Sequence, residues 1–331
     1  MAIVREKVKR RVMAAKKTKA KVMGSGNNWI RGMGTKKSKA AELSLGSGLR
    51  WVRGDKIGEG GFGSVFVAFS NEIDVKLLHM PVSMAIKSAK VKDSDPIKYE
   101  FEVFKEMDGE SCRFIIEHYG EEVTSSNRGE QVYNLAMEIA WGSLARLLEV
   151  RGFRGLEECH VRSFTGDILK GVRHIHNAGF VHCDLKPDNI LLVKYVYDDD
   201  EDRPVTFTAK VGDLGLVKKE EVGERWKGTP PYLSPETVSD NKQKKPSDIW
   251  AVGLIVLELL TGERPRSHFY DDESDTLYVL DGFEPKIPDT ISSLAGEFIG
   301  FCLQEVPEHR WTVEELLTHP FVADFRESES D

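Results

Sequence analysis

The stretch from Ser247 to Leu260 constrains this chain more than any other. Between Ala251 and Leu260 only Glu258 interrupts a run of apolar and small residues, so the helix it predicts is apolar on nearly every side. Such a helix has no face to give to water and must be wrapped by other elements. It is about half as long as a bilayer crossing requires, which makes it a core helix rather than a membrane span. With 331 residues, 40% of them hydrophobic, the chain can wrap it in one large two-lobed domain or two ordinary ones. Cys112, Cys159, Cys183 and Cys302 lie far apart without C-x-x-C spacing. Neither a disulfide framework nor a zinc site is expected, and a reducing intracellular compartment is.

Charge divides the chain. The net charge is −8, yet residues 1–50 carry 14 Lys and Arg against two acids, a charge of +12 that leaves −20 on the other 281 residues. Residues 1–48 are rich in Lys, Gly, Ser and Ala, with few large apolar groups to offset the entropy of ordering, so they read as a basic arm, disordered or marginally helical. Lys7-Val8-Lys9-Arg10-Arg11, followed by Lys16, Lys17 and Lys19, fits an import-receptor signal, a patch for an anionic surface or a solvated basic run. Val4, Val8 and Val12 would stripe a basic amphipathic helix, which is thin support for membrane contact. No apolar signal core follows the basic start, so a cytoplasmic and/or nuclear location is expected. The arm lacks aromatic interleaving and any groove-reading motif, which argues against nucleic acid. Residues 323–331 form an acidic tail.

Chemistry begins after the arm. Ile57-Gly58-Glu59-Gly60-Gly61-Phe62-Gly63-Ser64-Val65 lies between β-rich runs, Leu49–Val52 and Val65–Phe69. A glycine hairpin brings its backbone N–H groups close to phosphates where side chains would block the approach. A flexible turn or a dinucleotide site uses the same spacing, although the latter wants a strand followed by a helix. Met84-Ala85-Ile86-Lys87 is a short apolar strand ending in a cation. The helical stretch 97–107 places Phe101, Phe104 and Met107 on one face. Val132–Met137 is an apolar strand running into a turn at Glu138-Ile139-Ala140. An amphipathic helix follows over Glu158–Asn177, with Val161, Phe164, Ile168, Val172 and Ile175 at helical spacing and Gly179 as its stop. It delivers the chain to Phe180–Leu192, where Asp184, Lys186 and Asn189 stand on a short loop ahead of an apolar run. That spacing suits phosphoryl transfer: a carboxylate to orient the attacking hydroxyl, a cation near the moving phosphate and an amide oxygen for a metal. Asn71–Pro81 carries no assigned role, and the five acids Asp198–Asp202 read as a solvated hairpin tip.

In this order the strings resemble the protein kinases over about Leu49 to Val322. The match runs through G-x-G-x-x-G-x-V, the V-A-I-K strand, H-R-D-x-x-x-x-N at His182–Asn189 and D-F-G at Asp213-Leu214-Gly215. It continues with G-T-x-x-Y-x-[AS]-P-E at Gly228–Glu236, the helix opening Ser247–Gly253, and Pro307–Thr312 with His319-Pro320-Phe321. The resemblance implies an α+β, bilobal fold: a small β-rich lobe over 49–137, a hinge over 138–142 and a larger helical lobe over 143–322. It implies ATP and Mg2+ as cofactors. By the same likeness, Ile57, Gly58, Glu59, Gly60, Gly61, Phe62, Gly63 and Val65 cover the nucleotide. Ala85, the gatekeeper Met137, Glu138 and Ala140 meet adenine. Lys87 reaches the α and β phosphates, steadied by Glu100 or, failing that, Glu102. Asp184 orients and deprotonates the substrate hydroxyl, Lys186 neutralises the γ-phosphoryl group, and Asn189 and Asp213 hold the metals. Arg310 pairs with Glu236, and Asp248 holds the catalytic loop backbone.

Lys186 and Thr229 resemble serine/threonine rather than tyrosine kinases. His182-Cys183-Asp184, with Trp51-Val52-Arg53-Gly54 ahead of the glycine loop, is similar to the plant MAP kinase kinase kinases of the MEKK-like group, whose implied protein substrate is a MAP kinase kinase. Leu214 departs from the family phenylalanine but keeps an apolar plug. Cys183 replaces the arginine that binds a phosphorylated activation loop, and Gly215–Lys227 contains no Ser, Thr or Tyr. Site and reader are both missing, so activity without activation-loop phosphorylation is expected. The alternative is a pseudokinase or scaffold that binds nucleotide and partners without catalysis.

Overall fold

A computed structural model of the chain describes residues 46–71, 81–107, 112–195, 206–220, 225–265, 268–271, 276–279 and 285–323. The basic arm up to residue 45, most of Asn71–Pro81, the acidic insert and the tail beyond Ala323 lie outside the described residues. Apart from Thr206, those described belong to one compact unit, Leu43–Tyr195 with Phe207–Asp331.

The first lobe is a five-stranded antiparallel sheet of β1 (Trp51–Gly60), β2 (Gly63–Ser70), β3 (Ser83–Lys90), β4 (His118–Ser125) and β5 (Gln131–Met137), in the order β1-β2-β3-β5-β4. The first strand starts later than the composition suggested: Leu49 precedes it and is 90% exposed. β3 is central, and its alternation sets the chemistry. Met84 and Ile86 face one side of the sheet, against Trp51 and Ala68. Ala85 faces the other, with Ile97, Ile116, Tyr133, Leu135 and Met137. Lys87 shares the face of Ala85 and therefore points under the sheet.

Helix α1 (Asp95–Glu106) starts at Pro96, tolerated in a first turn because its missing N–H would have no helical partner there. Its inward stripe is Ile97, Glu100, Val103 and the capping Met107, with Phe101 and Phe104 only half-buried at its edges. The stripe differs from the expected Phe101-Phe104-Met107 because a carboxylate with a buried partner can hold a core position that apolar spacing alone assigns to phenylalanine.

Met137 leads through Glu138–Trp141 into β6 (Gly142–Ser143), and Ser143 Oγ accepts the Arg146 N–H to cap α2 (Leu144–Val150). The second lobe is built on α3 (Glu158–Asn177), α4 (Pro235–Asp240), α5 (Lys245–Thr261), α6 (Ser293–Cys302), α7 (Val313–Thr318) and α8 (Pro320–Ala323). Twelve residues of α5 are buried, as its composition demanded. A Cβ on Gly253 would fall 2.6 Å from Cys302 Cβ, so this glycine lets α5 and α6 approach. Strands β7 (Phe180–Val181), β8 (Ile190–Tyr195) and β9 (Thr206–Val211) bracket the loops that carry Asp184 and Asp213, and β10 (Lys218–Lys219) pairs with β7. A short hairpin, β11 (His268–Asp271) and β12 (Thr276–Val279), follows α5.

The lobes are stitched away from the hinge. Ile116 N–H donates to the Val211 carbonyl at 2.9 Å, and Val211 N–H donates to that of Phe114 at 2.8 Å. Val103 and Met107 from α1 join the large core of the second lobe. No described helix is long and apolar enough to cross a membrane.

Candidate active site

Three segments converge on Lys87. Its Nζ lies 2.7 Å from Glu100 Oε2 and 2.8 Å from Asp213 Oδ1. Glu102, the other glutamate considered, is exposed. Lys87 is 8% and Glu100 1% exposed. Burial alone would raise the Glu100 carboxyl, but the Lys87 ammonium and a contact from His118 hold it down to about 2. Burial would lower Lys87, yet its two carboxylates push it above the ordinary lysine value. Both groups are charged in a site where an unpaired charge would be costly.

The loop between β7 and β8 presents Asp184 by the same logic. Asp248, buried at the start of α5, accepts the N–H groups of His182 (2.8 Å) and Cys183 (3.0 Å) and faces His176 Nε2 at 2.9 Å. Cys183 can then sit in the left-handed region, at φ 69°. Its thiol is buried, and burial with Asp248 nearby pushes its pKa up, so it remains neutral. Lys186 Nζ donates to Asp184 Oδ2 (2.8 Å) and Thr229 Oγ1 (2.6 Å), and the Thr229 hydroxyl donates to Asp184 Oδ1 (2.6 Å). Asn189 Nδ2 donates to the Asp184 carbonyl and Oδ2, at 2.8 and 3.0 Å. With its nitrogen so engaged, Asn189 has its side-chain oxygen left for another ligand.

The residues fit a nucleotide with divalent metal. Asn189 offers an amide oxygen and Asp213 a carboxylate whose side chain is 32% exposed, the hard oxygens that Mg2+ prefers. Asp213 is held at φ 56°, turned back toward Lys87. Ideal Cβ positions on Gly60 and Gly61, at the tip of the β1–β2 hairpin, meet nothing within 4 Å. Gly63 has a different reason to be glycine: at φ 150° its Cβ would fall 2.5 Å from the Ser88 carbonyl oxygen. Phe62 tucks beneath the hairpin, its ring centroid 5.8 Å from Lys87 Nζ. Ile57 is half-exposed and Glu59 pairs with Lys56, while Gly58 pairs in register with Val65, which lies across from Lys87. Ala85 pairs in register with Met137. The Glu138 side chain turns toward Lys210 (2.7 and 2.9 Å), and its N–H donates to the Glu117 carbonyl. Only the backbone of Glu138 and Ala140 therefore faces a ligand from the hinge.

The supporting pairs inferred from the family likeness are present: Arg310 grips Glu236 at 2.7 and 2.8 Å. Sequence reading missed His118, Lys210, the direct Thr229–Asp184 contact and Gln243, which holds Lys227 by both its peptide groups. None carries a motif signal; Gln243 sits in the polar run Ser239–Lys245, which reads as a solvated loop.

The comparisons with known proteins agree with this geometry. The protein kinase domain family matches residues 51–322. Mitogen-activated protein kinase kinase kinase 20 of Arabidopsis thaliana is 36% identical over 284 residues, which cover 83% of this chain and 78% of that protein. Mitogen-activated protein kinase kinase kinase 18 of the same plant is 33% identical over 285 residues, with 83% and 78% covered. Serine/threonine-protein kinase SSK22 of Saccharomyces cerevisiae is 33% identical over 312 residues, covering 86% of this chain and 22% of that protein.

Proposed function

The chain belongs to the protein kinase family and is a serine/threonine kinase of the mitogen-activated protein kinase kinase kinase type, and from that premise we propose that it transfers the γ-phosphoryl group of ATP to a MAP kinase kinase without needing activation-loop phosphorylation. The scaffold alternative finds no support among relatives that are named as kinases. The observation that carries the reading is the assembly of Lys87, Glu100 and Asp213 on one side of the cleft with Asp184, Lys186, Asn189 and Thr229 on the other.

Each residue has a task that its contacts support. Lys87, steadied by Glu100, would bind the α and β phosphates. Asn189 and Asp213 would hold divalent ions, Mg2+ in this reading, whose charge offsets that of the phosphates. The substrate hydroxyl would meet Asp184, which orients it and takes its proton, while Lys186 would face the γ-phosphoryl group. Thr229 already places one aliphatic hydroxyl against Asp184 at 2.6 Å, the kind of group that a serine or threonine substrate would bring.

Two observations support independence from phosphorylation. The segment lacks a hydroxyl from Gly215 to Lys227. A neutral clamp stands where a phosphate–arginine pair would act: Gln243 Nε2 donates to the Lys227 carbonyl (2.7 Å) and to that of Cys183 (3.4 Å), and its Oε1 accepts the Lys227 N–H (3.1 Å). We also read the basic residues before Leu49 as a patch for an acidic partner, an anionic surface or an import receptor, in keeping with a cytoplasmic and/or nuclear location.

The test is transfer of labelled γ-phosphate to a panel of catalytically dead MAP kinase kinases by phosphatase-treated protein, with Asp213→Ala as control. Labelling of a kinase in the panel by wild type alone is the expected result. Equal labelling by the control, or activity that appears only after phosphorylation of the chain, would overturn it.

A further inference from the structure

His118, the first residue of β4, has a fully buried side chain and no part in the site as read from sequence. Its ring packs on Phe104 with centroids 4.5 Å apart, and Phe101 lies at 6.3 Å. Nδ1 faces the Ile116 carbonyl oxygen at 3.1 Å, and Nε2 faces Glu100 Oε1 at 3.4 Å. Both partners are acceptors. A carbonyl can only accept, so Nδ1 must carry a hydrogen. A neutral ring would then turn a bare Nε2 lone pair toward a buried carboxylate, whereas an imidazolium donates to both partners.

Charge balance points the same way. The charged groups facing His118 are Glu100 from α1 and, across that carboxylate, Lys87 from β3 and Asp213 after β9; Ile116 supplies the carbonyl, and Met137 of β5 is paired beside it in register. Without a charge on His118, one ammonium serves two carboxylates in a site where Glu100 is 1% exposed. With it, positive and negative groups alternate and cancel along the row His118, Glu100, Lys87, Asp213, the condition under which buried charge is tolerated.

We propose that His118 is a positioning residue for phosphoryl transfer: held as an imidazolium between Ile116 and Glu100, it balances the second carboxylate and fixes Glu100 in the orientation that presents Lys87 to ATP. The proposal rests on the reading of Lys87 and Glu100 as the nucleotide-holding pair. Deprotonation of His118 returns an uncompensated carboxylate to the site, loosens Glu100 and lowers affinity for ATP on the alkaline side.

The experiment has an arm that needs no turnover. Full-length protein labelled with 15N-histidine, whose nine histidines include one signal absent from His118→Gln, is examined by two-bond 15N–1H correlation at pH 7.5. The pattern of an imidazolium at that signal is expected, and a neutral tautomer would overturn the proposal. In the kinetic arm, kcat and KM for ATP are followed from pH 6 to 9. His118→Gln keeps a donor but cannot change charge, so the alkaline limb of kcat/KM present in wild type disappears. His118→Phe keeps the ring stack and loses both donors, so kcat/KM falls about tenfold or more, mainly through KM. Superimposable pH profiles for wild type and His118→Gln would also overturn it. Lys87→Met separates the two readings: full activity there sinks the kinase-site assignment, while a neutral His118 sinks the proposal alone.

Discussion

At the scale of single residues, two buried ion pairs carry different duties and should fail differently. Arg310 spends its whole guanidinium on the core: two bonds to Glu236 and one each to the carbonyls of Gln304, Pro246 and Glu305, with its plane 4.9 Å from the Trp250 ring. Lysine keeps the charge but not the fork, so Arg310→Lys should cost about 3 kcal/mol and several degrees in Tm. Calorimetry checks it, and an unchanged melt would contradict the geometry. Lys87→Met should instead lower kcat/KM by roughly a hundredfold or more, the scale typical of a positioned charge in such chemistry, in a γ-phosphate assay. Glu100 adds a pH dependence. Its carboxyl is held near 2 against an ordinary 4.5, so the stabilisation it brings is present above about pH 4.5 and is lost as pH falls toward 2. Denaturant midpoints for wild type and Glu100→Gln should therefore differ at pH 7 and converge at pH 3; a gap that widens on acidification would reverse the sign.

At the scale of elements, the activation segment is the part whose behaviour depends on few contacts. Gln243 joins Lys227 to the Cys183 carbonyl, just before Gly228 brings the chain so close that a Cβ there would lie 2.2 Å from that same oxygen. Gln243→Ala removes these bonds and should lower activity about tenfold, with little change in Tm. Gln243→Glu sets a carboxylate against two carbonyls and should do worse. Phosphate transfer by the unphosphorylated variants decides it, and full activity in both would remove Gln243 from the account of regulation. This element also shows why reading the sequence stopped where it did. Asp184, Lys186, Asn189 and Asp213 were legible because local spacing fixes their chemistry, and α5 was legible because its composition leaves it no surface. Glu100 and Glu102 could not be separated on composition, since only the fold shows which one turns under β3. Gln243 and His118 were invisible for the same reason: their partners lie 60 and 18 residues away, at Cys183 and Glu100, and no local periodicity records a contact of that kind.

At the scale of the molecule, the sequence splits its charge, +12 before residue 51 and −20 after it, and the two parts answer to different forces. The kinase chemistry is held by buried pairs and hydrogen bonds, which salt screens little, whereas an arm that works through unpaired lysines and arginines is screened over about 10 Å at 0.1 M salt. The two functions should therefore separate experimentally. Phosphate transfer to a generic basic protein should survive deletion of residues 1–47 and change little between 50 and 300 mM salt. Binding to vesicles containing phosphatidylserine should be strong at low salt for the full chain, fall steeply as salt rises, and disappear with the deletion, because each Lys or Arg near an anionic surface contributes about 1 kcal/mol. Equal vesicle binding with and without the arm would show that its charge recruits no surface and leave import-receptor recognition as the alternative use of Lys7–Arg11. Loss of transfer activity on deletion would show instead that the arm serves the catalytic unit itself.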